Sequence, residues 1–283
     1  MALDNFIPTV WSARLLENLQ KALVYGQTGV INRDYEGEIK NVGDTVKINA
    51  IGAITVGDYT KNGTIGAPQQ LSSDQKMLTI DQAKYFNFFV DDIDAVQTKP
   101  KVMDAAMREA AYALRDAADQ YIASLYTGVA AGNTIGDDTT PIVPTASNAY
   151  EYLVDMGVLL DEANVPQAGR WVIVPPWFYG LLLKDDRFVK SGTPQGDSVL
   201  RNGQVGEAAG FTVLKSNNVP NDAGTKYKIV AGHPMAWSFA EQILKLEAYR
   251  PQDRFADAVK GLHVYGAKLV RPQAIAVLTA NKS

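Results

Sequence analysis

The stretch VGDTVKINAIGAITVGDYTKNGTIGAPQQLSSDQKMLTIDQAKYFNFFV, running from Val42 to Val90, decides how this chain is read. Its opening alternates, with Val42, Val46 and Ile48 on one side of a strand and Thr45, Lys47 and Asn49 on the other. That period of two marks a half-buried strand. Lys76 to Val90 reads as a second extended run, rich in Phe86, Phe88 and Phe89. Between the runs lie about 25 residues dominated by Gly, Thr, Ser, Asn and Gln, whereas a hairpin loop usually needs two to five. A two-stranded ribbon with a long polar tip cannot bury enough to be stable alone in water. Two readings follow: the tip is a mobile surface loop, or the ribbon is ordered by lying across another chain.

On the N-terminal side, residues 9–25 read as an amphipathic helix. Leu15, Leu16, Leu19, Ala22 and Leu23 recur at helical spacing opposite Arg14, Asn18 and Lys21, and Gly26 offers a stop. Such a helix can lie on its own domain or dock on a partner. On the C-terminal side the spacing predicts a long helix from Pro100 to Thr127. Pro100 suits the first turn and Gly128 a C-terminal cap. Met103, Met107, Ala110, Leu114, Ala117, Tyr121 and Leu125 form its apolar face. Asp104 with Arg108, and Arg115 with Asp119, stand at ion-pair spacing. Its many alanines make a thin cylinder that strands can approach closely, and nothing on it looks catalytic.

A Gly/Asp/Thr/Pro stretch from Gly128 to Pro144 marks a subdomain boundary. A helix then runs from Asn148 to Asn164, with Asn148 and Glu151 at capping-box spacing. Trp171 to Val174 reads as a buried strand, Trp177 to Leu183 as a short helix, and Phe211 to Lys215 and Tyr227 to Ala231 as strands. This alternation makes the middle segment an α/β unit. The chain closes on strands that include Leu244 to Ala248 and Ala274 to Leu278.

Composition narrows the function. The 283 residues are 46% hydrophobic and 20% charged, enough apolar surface for a core. With 27 basic and 31 acidic residues the net charge is −4, which argues against a dedicated nucleic-acid binder. The absence of cysteine excludes disulfides, thiolate metal sites and Cys nucleophiles. The first ten residues carry Asp4 and no Lys or Arg, unlike a secretory signal. The longest apolar stretch, Trp171 to Leu183, is interrupted by Pro175, Pro176 and Gly180 and is too short to span a bilayer.

Sites of chemistry are sparse. Asp91, Asp92 and Asp94 could offer oxygens to a divalent metal, but they lack the turn glycine and distal Glu of a calcium loop. Acids just before a helix favour the positive end of its dipole. Of the two histidines, His233 precedes Pro234 and His263 sits in a Gly-Leu-His-Val-Tyr-Gly run; a structural, hydrogen-bonded role is expected for both. No G-x-S-x-G, phosphate loop or dinucleotide fingerprint occurs. A glycosidase-type pair of carboxylates would leave no sequence signature, since such pairs meet only in space.

The order of parts resembles the major capsid (coat) protein of tailed bacteriophages, whose shell-forming fold is shared with herpesvirus capsids and encapsulin compartments. Three stretches carry the likeness: Phe6-Ile7-Pro8-Thr9-Val10-Trp11-Ser12 with Leu15 and Leu16; Gly43-Asp44-Thr45-Val46-Lys47-Ile48; and Arg254 to Lys268 with Pro272. The resemblance implies an α+β fold with an N-terminal arm (1–35), an extended β-ribbon loop (36–90), a peripheral domain with a long spine helix (91–132 and 241–283), and an α/β axial domain (133–240). It implies a structural subunit, not an enzyme and without cofactor. That subunit self-assembles through pentamers and hexamers into an icosahedral shell around phage DNA.

Contacts between copies are then expected at Trp11, Leu15 and Leu19 in the arm, at Val46, Ile48, Tyr59, Lys61, Met77, Phe86 and Phe88 in the ribbon, and at Arg254. Some relatives cross-link ribbon to peripheral domain through Lys and Asn, but neither Lys61 nor Lys76 matches that pattern. No long charged coiled segment precedes the arm, so a separate scaffolding protein or none is expected. Portal and decoration proteins, and non-specific contact with packaged DNA, complete the expected partners. Assembly belongs in the host cytoplasm, with no membrane. The rivals are an encapsulin-like compartment for protein cargo and, from another class, a cytoplasmic α/β hydrolase with a hidden carboxylate pair.

Overall fold

The computed structural model describes residues 24–34, 45–51, 56, 58–64, 67–68, 73–91, 102–185, 187, 206–253 and 255–282. The expectations for Trp11, Leu15, Leu19, Arg254, Asp92 and Asp94 therefore fall outside the described residues. Among the described residues, eleven strands form three sheets and are accompanied by three α-helices. The strands are β1 (Thr45–Ile51), β2 (Ser73–Thr79), β3 (Gln82–Asp91), β4 (Thr134–Ile135), β5 (Trp171–Val174), β6 (Glu207–Ala208), β7 (Phe211–Lys215), β8 (Tyr227–Gly232), β9 (Trp237–Tyr249), β10 (Ala256–Leu269) and β11 (Ile275–Ala280). The helices are α1 (Val102–Ser124), α2 (Ala149–Glu162) and α3 (Pro176–Leu182).

The middle of the chain, joined by the C-terminal strand β11, builds a six-stranded mixed sheet in the order β4-β11-β8-β5-β7-β6. Strand β11 thus lies outside the three-stranded sheet, although the sequence reading assigned 241–283 to the peripheral domain. All four residues of β5 are buried, as a central strand covered on both faces requires. Helix α2 turns Leu153, Met156, Gly157 and Leu160 inward, with the Phe211 ring against Gly157. Buried Arg170 fixes the turn between α2 and β5, donating to the Pro166 carbonyl at 2.9 Å and to Asp161 at 2.7 Å. The expected capping box does not form. The Asn148 side chain accepts the Thr145 N–H at 2.6 Å, and Glu151 pairs with Arg187 at 2.9 Å.

The second sheet, β3-β10-β9, is antiparallel throughout and backed by α1. The third is the β1-β2 ribbon, in register from Thr45↔Thr79 to Ile51↔Ser73. Here the structure corrects the sequence reading: the run from Lys76 to Val90 is two strands. The chain breaks at Ile80–Asp81, where β2 leaves β1 and β3 joins β10. Phe86 and Phe88 thus belong to the three-stranded sheet, and the ribbon ends at Thr79.

Helix α1 also differs in detail. Its buried line runs through Ala111, Leu114, Ala118 and Ile122, with Ala110, Ala117 and Tyr121 half-buried beside it. The face is rotated because residues 24–31 pack beside Asp119 and bury Tyr25, Val30 and Ile31. Arg115 stacks over Tyr112 at 4.5 Å instead of pairing with Asp119. A short 3-10 turn, Leu125–Gly128, ends the helix. Gly128 packs against Leu269 there, and a Cβ would stand 2.8 Å from the end of that side chain, which would have to shift. It does not adopt the left-handed backbone of a helix cap.

Candidate functional site

Among the described residues, no group of three or more His, Cys, Asp and Glu could hold a metal ion, and no helix is long and apolar enough to cross a membrane. Both histidines bond within the fold: His233 through the Ala168 carbonyl (3.1 Å) and the Met235 N–H (3.2 Å), and His263 through Glu241 (3.0 Å). Asp116 and Asp119 do not face each other across a cleft; the Asn218 amide donates to both, at 2.7 and 3.1 Å. The remaining surfaces of interest are those that the chain projects.

The ribbon is apolar on its inner side. Val46, Ile48 and Leu78 meet Ile80, Ala240 and Val264 in a small buried cluster, the burial of each Val, Leu or Ile side chain contributing about 1.5–3 kcal/mol. Val46 and Ile48, expected to touch a neighbour, therefore have partners in their own chain. The opposite side carries Thr45, Lys47, Met77 and Thr79, all exposed. Further out, Val56 is 92% and Tyr59 68% exposed, with Lys61 exposed beside them. The chain turns at Asn62 (φ 66°), and the Gly63 N–H donates to the Thr60 carbonyl at 2.9 Å.

Three contacts pin the ribbon base. The Lys76 ammonium donates to the Val270 carbonyl at 2.6 Å. The Tyr121 hydroxyl donates to Asp81 at 3.0 Å; burial and the Asp81 carboxylate push its pKa up to about 12. At the crossing itself, a Cβ on Gly266 would stand 2.4 Å from the Thr79 carbonyl oxygen, so only glycine lets the two backbones pass.

The outer face of the three-stranded sheet is the other bare surface. Tyr85 and Phe89 on β3, with Phe255 just before β10, are exposed. Lys260 pairs with Glu247 at 2.9 Å and lies over the Tyr249 ring. A dent of about 350 Å³ opens among Tyr85, Asn87, Glu247, Lys260 and Leu262. On the inner face Phe86 packs with Met107 beside Ala111 and Leu114, and stacks on Phe88 at 5.9 Å. The sequence reading missed Tyr85 and Phe255, whose exposure depends on which side each strand presents. It also missed buried Asp119 and Glu241, which carry no signature beyond their charge.

The described residues thus present a tethered ribbon with an exposed outer part and exposed aromatic side chains on one sheet face. Comparison supplies the class: a family model described as phage capsid protein matches residues 74–278, and the chain belongs to that family. It is a shell-forming structural protein. A solved structure from Mycobacterium phage Che8 is 32% identical over 98% of both chains, with a TM-score of 0.76. The capsid of cyanophage P-SCSP1u shares the fold at 17% identity, covering 93% of this chain and 90% of that one (TM-score 0.73). A virus-like particle from Pyrococcus furiosus shares it at 15% identity, over 95% and 97% (TM-score 0.58). No curated protein matches the chain.

Proposed function

We propose that copies of this chain close, through pentamers and hexamers, into an icosahedral shell around phage genomic DNA. In this reading the N-terminal arm (1–35) and the ribbon each reach a neighbouring copy. The six-stranded unit (133–240, completed by β11 from the C-terminal segment) lies around each capsomer axis, and α1 with the three-stranded sheet forms the peripheral part. Because β3 pairs with β10, the reaching loop is 36–79 in place of 36–90. The observation that carries the reading is the contrast along the ribbon: a base buried on its own chain, and Val56 and Tyr59 beyond it almost bare.

Tyr59, Lys61 and Met77, together with Trp11, Leu15, Leu19 and Arg254, are the contacts left for a neighbour. Many modest contacts per subunit add through multivalency, so each can stay weak enough for errors to be corrected during growth. A net charge of −4 suits a wall that touches packaged DNA only weakly. A separate scaffolding protein, a portal and decoration proteins are the partners expected during assembly in the host.

Negative-stain microscopy of the purified protein tests the reading, with uniform closed particles as the expected result and a compact monomer or dimer as the contrary one. Removing Gly52 to Asp74 should leave the α/β unit folded and abolish or misdirect assembly; normal particles from that deletion would deny the ribbon its neighbour. Nucleic acid inside particles made during infection, in place of a co-purifying enzyme, separates this shell from a protein-cargo compartment of the same fold.

A further inference from the structure

Residues 24–34, the part of the arm nearest the ribbon in sequence, contain neither helix nor extended strand, yet Tyr25, Val30 and Ile31 are fully buried. Apolar burial holds such a segment down without fixing its direction, because the hydrophobic effect is not directional. Direction here comes from two carboxylates. Asp119 on α1, itself buried, accepts the backbone N–H groups of Val24 (3.0 Å) and Tyr25 (2.8 Å) on one oxygen and the Asn218 amide (3.1 Å) on the other. At the far end, Glu241 on β9 pairs with Arg33 through one oxygen and bonds His263 through the other. Arg33 also lies over the Phe239 ring at 5.3 Å, and Asn32 exchanges backbone bonds with Trp237 and Phe239 at 3.0 and 2.9 Å.

We infer that Asp119 and Glu241 are positioning residues for assembly. They clamp residues 24–34 at both ends, so that the chain leaves toward the rest of the arm and toward the ribbon in fixed directions. This rests on the shell reading above. Burying carboxylates adds little net stability over apolar residues of similar size, and directional hydrogen bonding is what they contribute in exchange. Asp119 binds peptide N–H groups, so it orients the backbone whatever side chains follow. The clamp also joins three parts of the molecule: α1, the loop after β7 that carries Asn218, and β9.

The test compares the wild-type chain with Asp119→Leu, Glu241→Leu and Asp119→Asn, whose amide oxygen can still accept the two N–H groups. Each is followed by circular dichroism, by cooperative unfolding of the soluble subunit, and by electron microscopy of the assembled product. The expected result is cooperative unfolding in all four, loss of uniform closed particles in both Leu variants, and their return in Asp119→Asn. Closed particles from the wild type and from either Leu variant alike overturn the clamp and leave the shell standing. Loss of cooperative unfolding in both Leu variants also overturns it, since the carboxylates would then hold the fold itself. A wild-type chain that forms no closed particles overturns the shell reading and the clamp together.

Discussion

The ring of Phe86 on β3 lies over Gly261 on β10, its direct partner in the antiparallel ladder, where a Cβ would come within 2.4 Å of the ring. The strand lacks a side chain at this point because the neighbouring strand fills the space. Gly261→Val should therefore lower the unfolding free energy by about 1–3 kcal/mol through overpacking. Phe86→Ala costs stability on its own, but it removes the clash, so the double variant should be more stable than the sum of the two losses. Denaturant unfolding of the three soluble variants measures this; strict additivity would mean that the ring and the glycine do not share the space.

Gly266 meets backbone where Gly261 meets a movable side chain. The nearest atoms to its would-be Cβ are the Thr79 carbonyl oxygen at 2.4 Å and, with the Ile80 side chain, the Ile80 Cα at 3.0 Å. Gly266→Ala should thus disturb the ribbon base more than Gly261→Ala disturbs the sheet. Limited proteolysis between Thr45 and Thr79 should accelerate in Gly266→Ala. An unchanged cleavage rate would show that the crossing has slack.

Trp237 opens β9 fully buried, 5.2 Å from the Trp171 ring and 6.1 Å from Tyr25. Among the described residues neither indole N–H has a hydrogen-bond partner, so the contribution is one of packing. Trp237→Ala is expected to cost about 3–5 kcal/mol, and Trp237→Phe clearly less, because no hydrogen bond is lost with the indole. Equal losses in thermal unfolding would point instead to a bonded N–H.

Acid stability should report on Glu241. Burial alone would push its carboxyl up, but the His263 hydrogen bond and the Arg33 guanidinium outweigh burial and hold it below the ordinary glutamate value of 4.5. With the folded-state pKa below the unfolded one, the unfolded chain binds the proton first as pH falls. The stability Glu241 contributes is complete above the unfolded value and is lost as pH drops below 4.5 toward the folded one. Asp119 works with the opposite sign, since burial raises its carboxyl against the Asn218, Tyr25 and Val24 hydrogen bonds. Glu241→Gln should therefore flatten the acid limb of the stability profile, as read by unfolding at a series of pH values. An identical slope would show that the pair contributes nothing there.

The parts legible in the sequence were those fixed by local chemistry. The buried run Trp171 to Val174, the strand Phe211 to Lys215 and the long alanine-rich helix stand where periodicity and turn residues put them. What periodicity could not show was partnership. Lys76 to Val90 reads as a single extended run, and nothing local says that its first half pairs with β1 and its second with β10. The change depends on Gly266, nearly two hundred residues away. The same limit applies to the candidate contacts. Val46 and Ile48 look like an uncovered stripe until Ala240 and Val264 arrive from the far end of the chain. Asp119 sat at ion-pair spacing from Arg115, and only the fold brings Val24 and Tyr25 to it.

The crossing at Gly266 also bears on how a shell wall would carry tension. A pull that a neighbour exerts on the ribbon enters the subunit at Thr79–Asp81, where backbone rests on backbone and Lys76 and Tyr121 hold either side. From there it passes to β10, which is hydrogen-bonded to β3 on one edge and β9 on the other along most of its length. A crack in such a wall should follow the seams between subunits, leaving the polypeptides themselves intact.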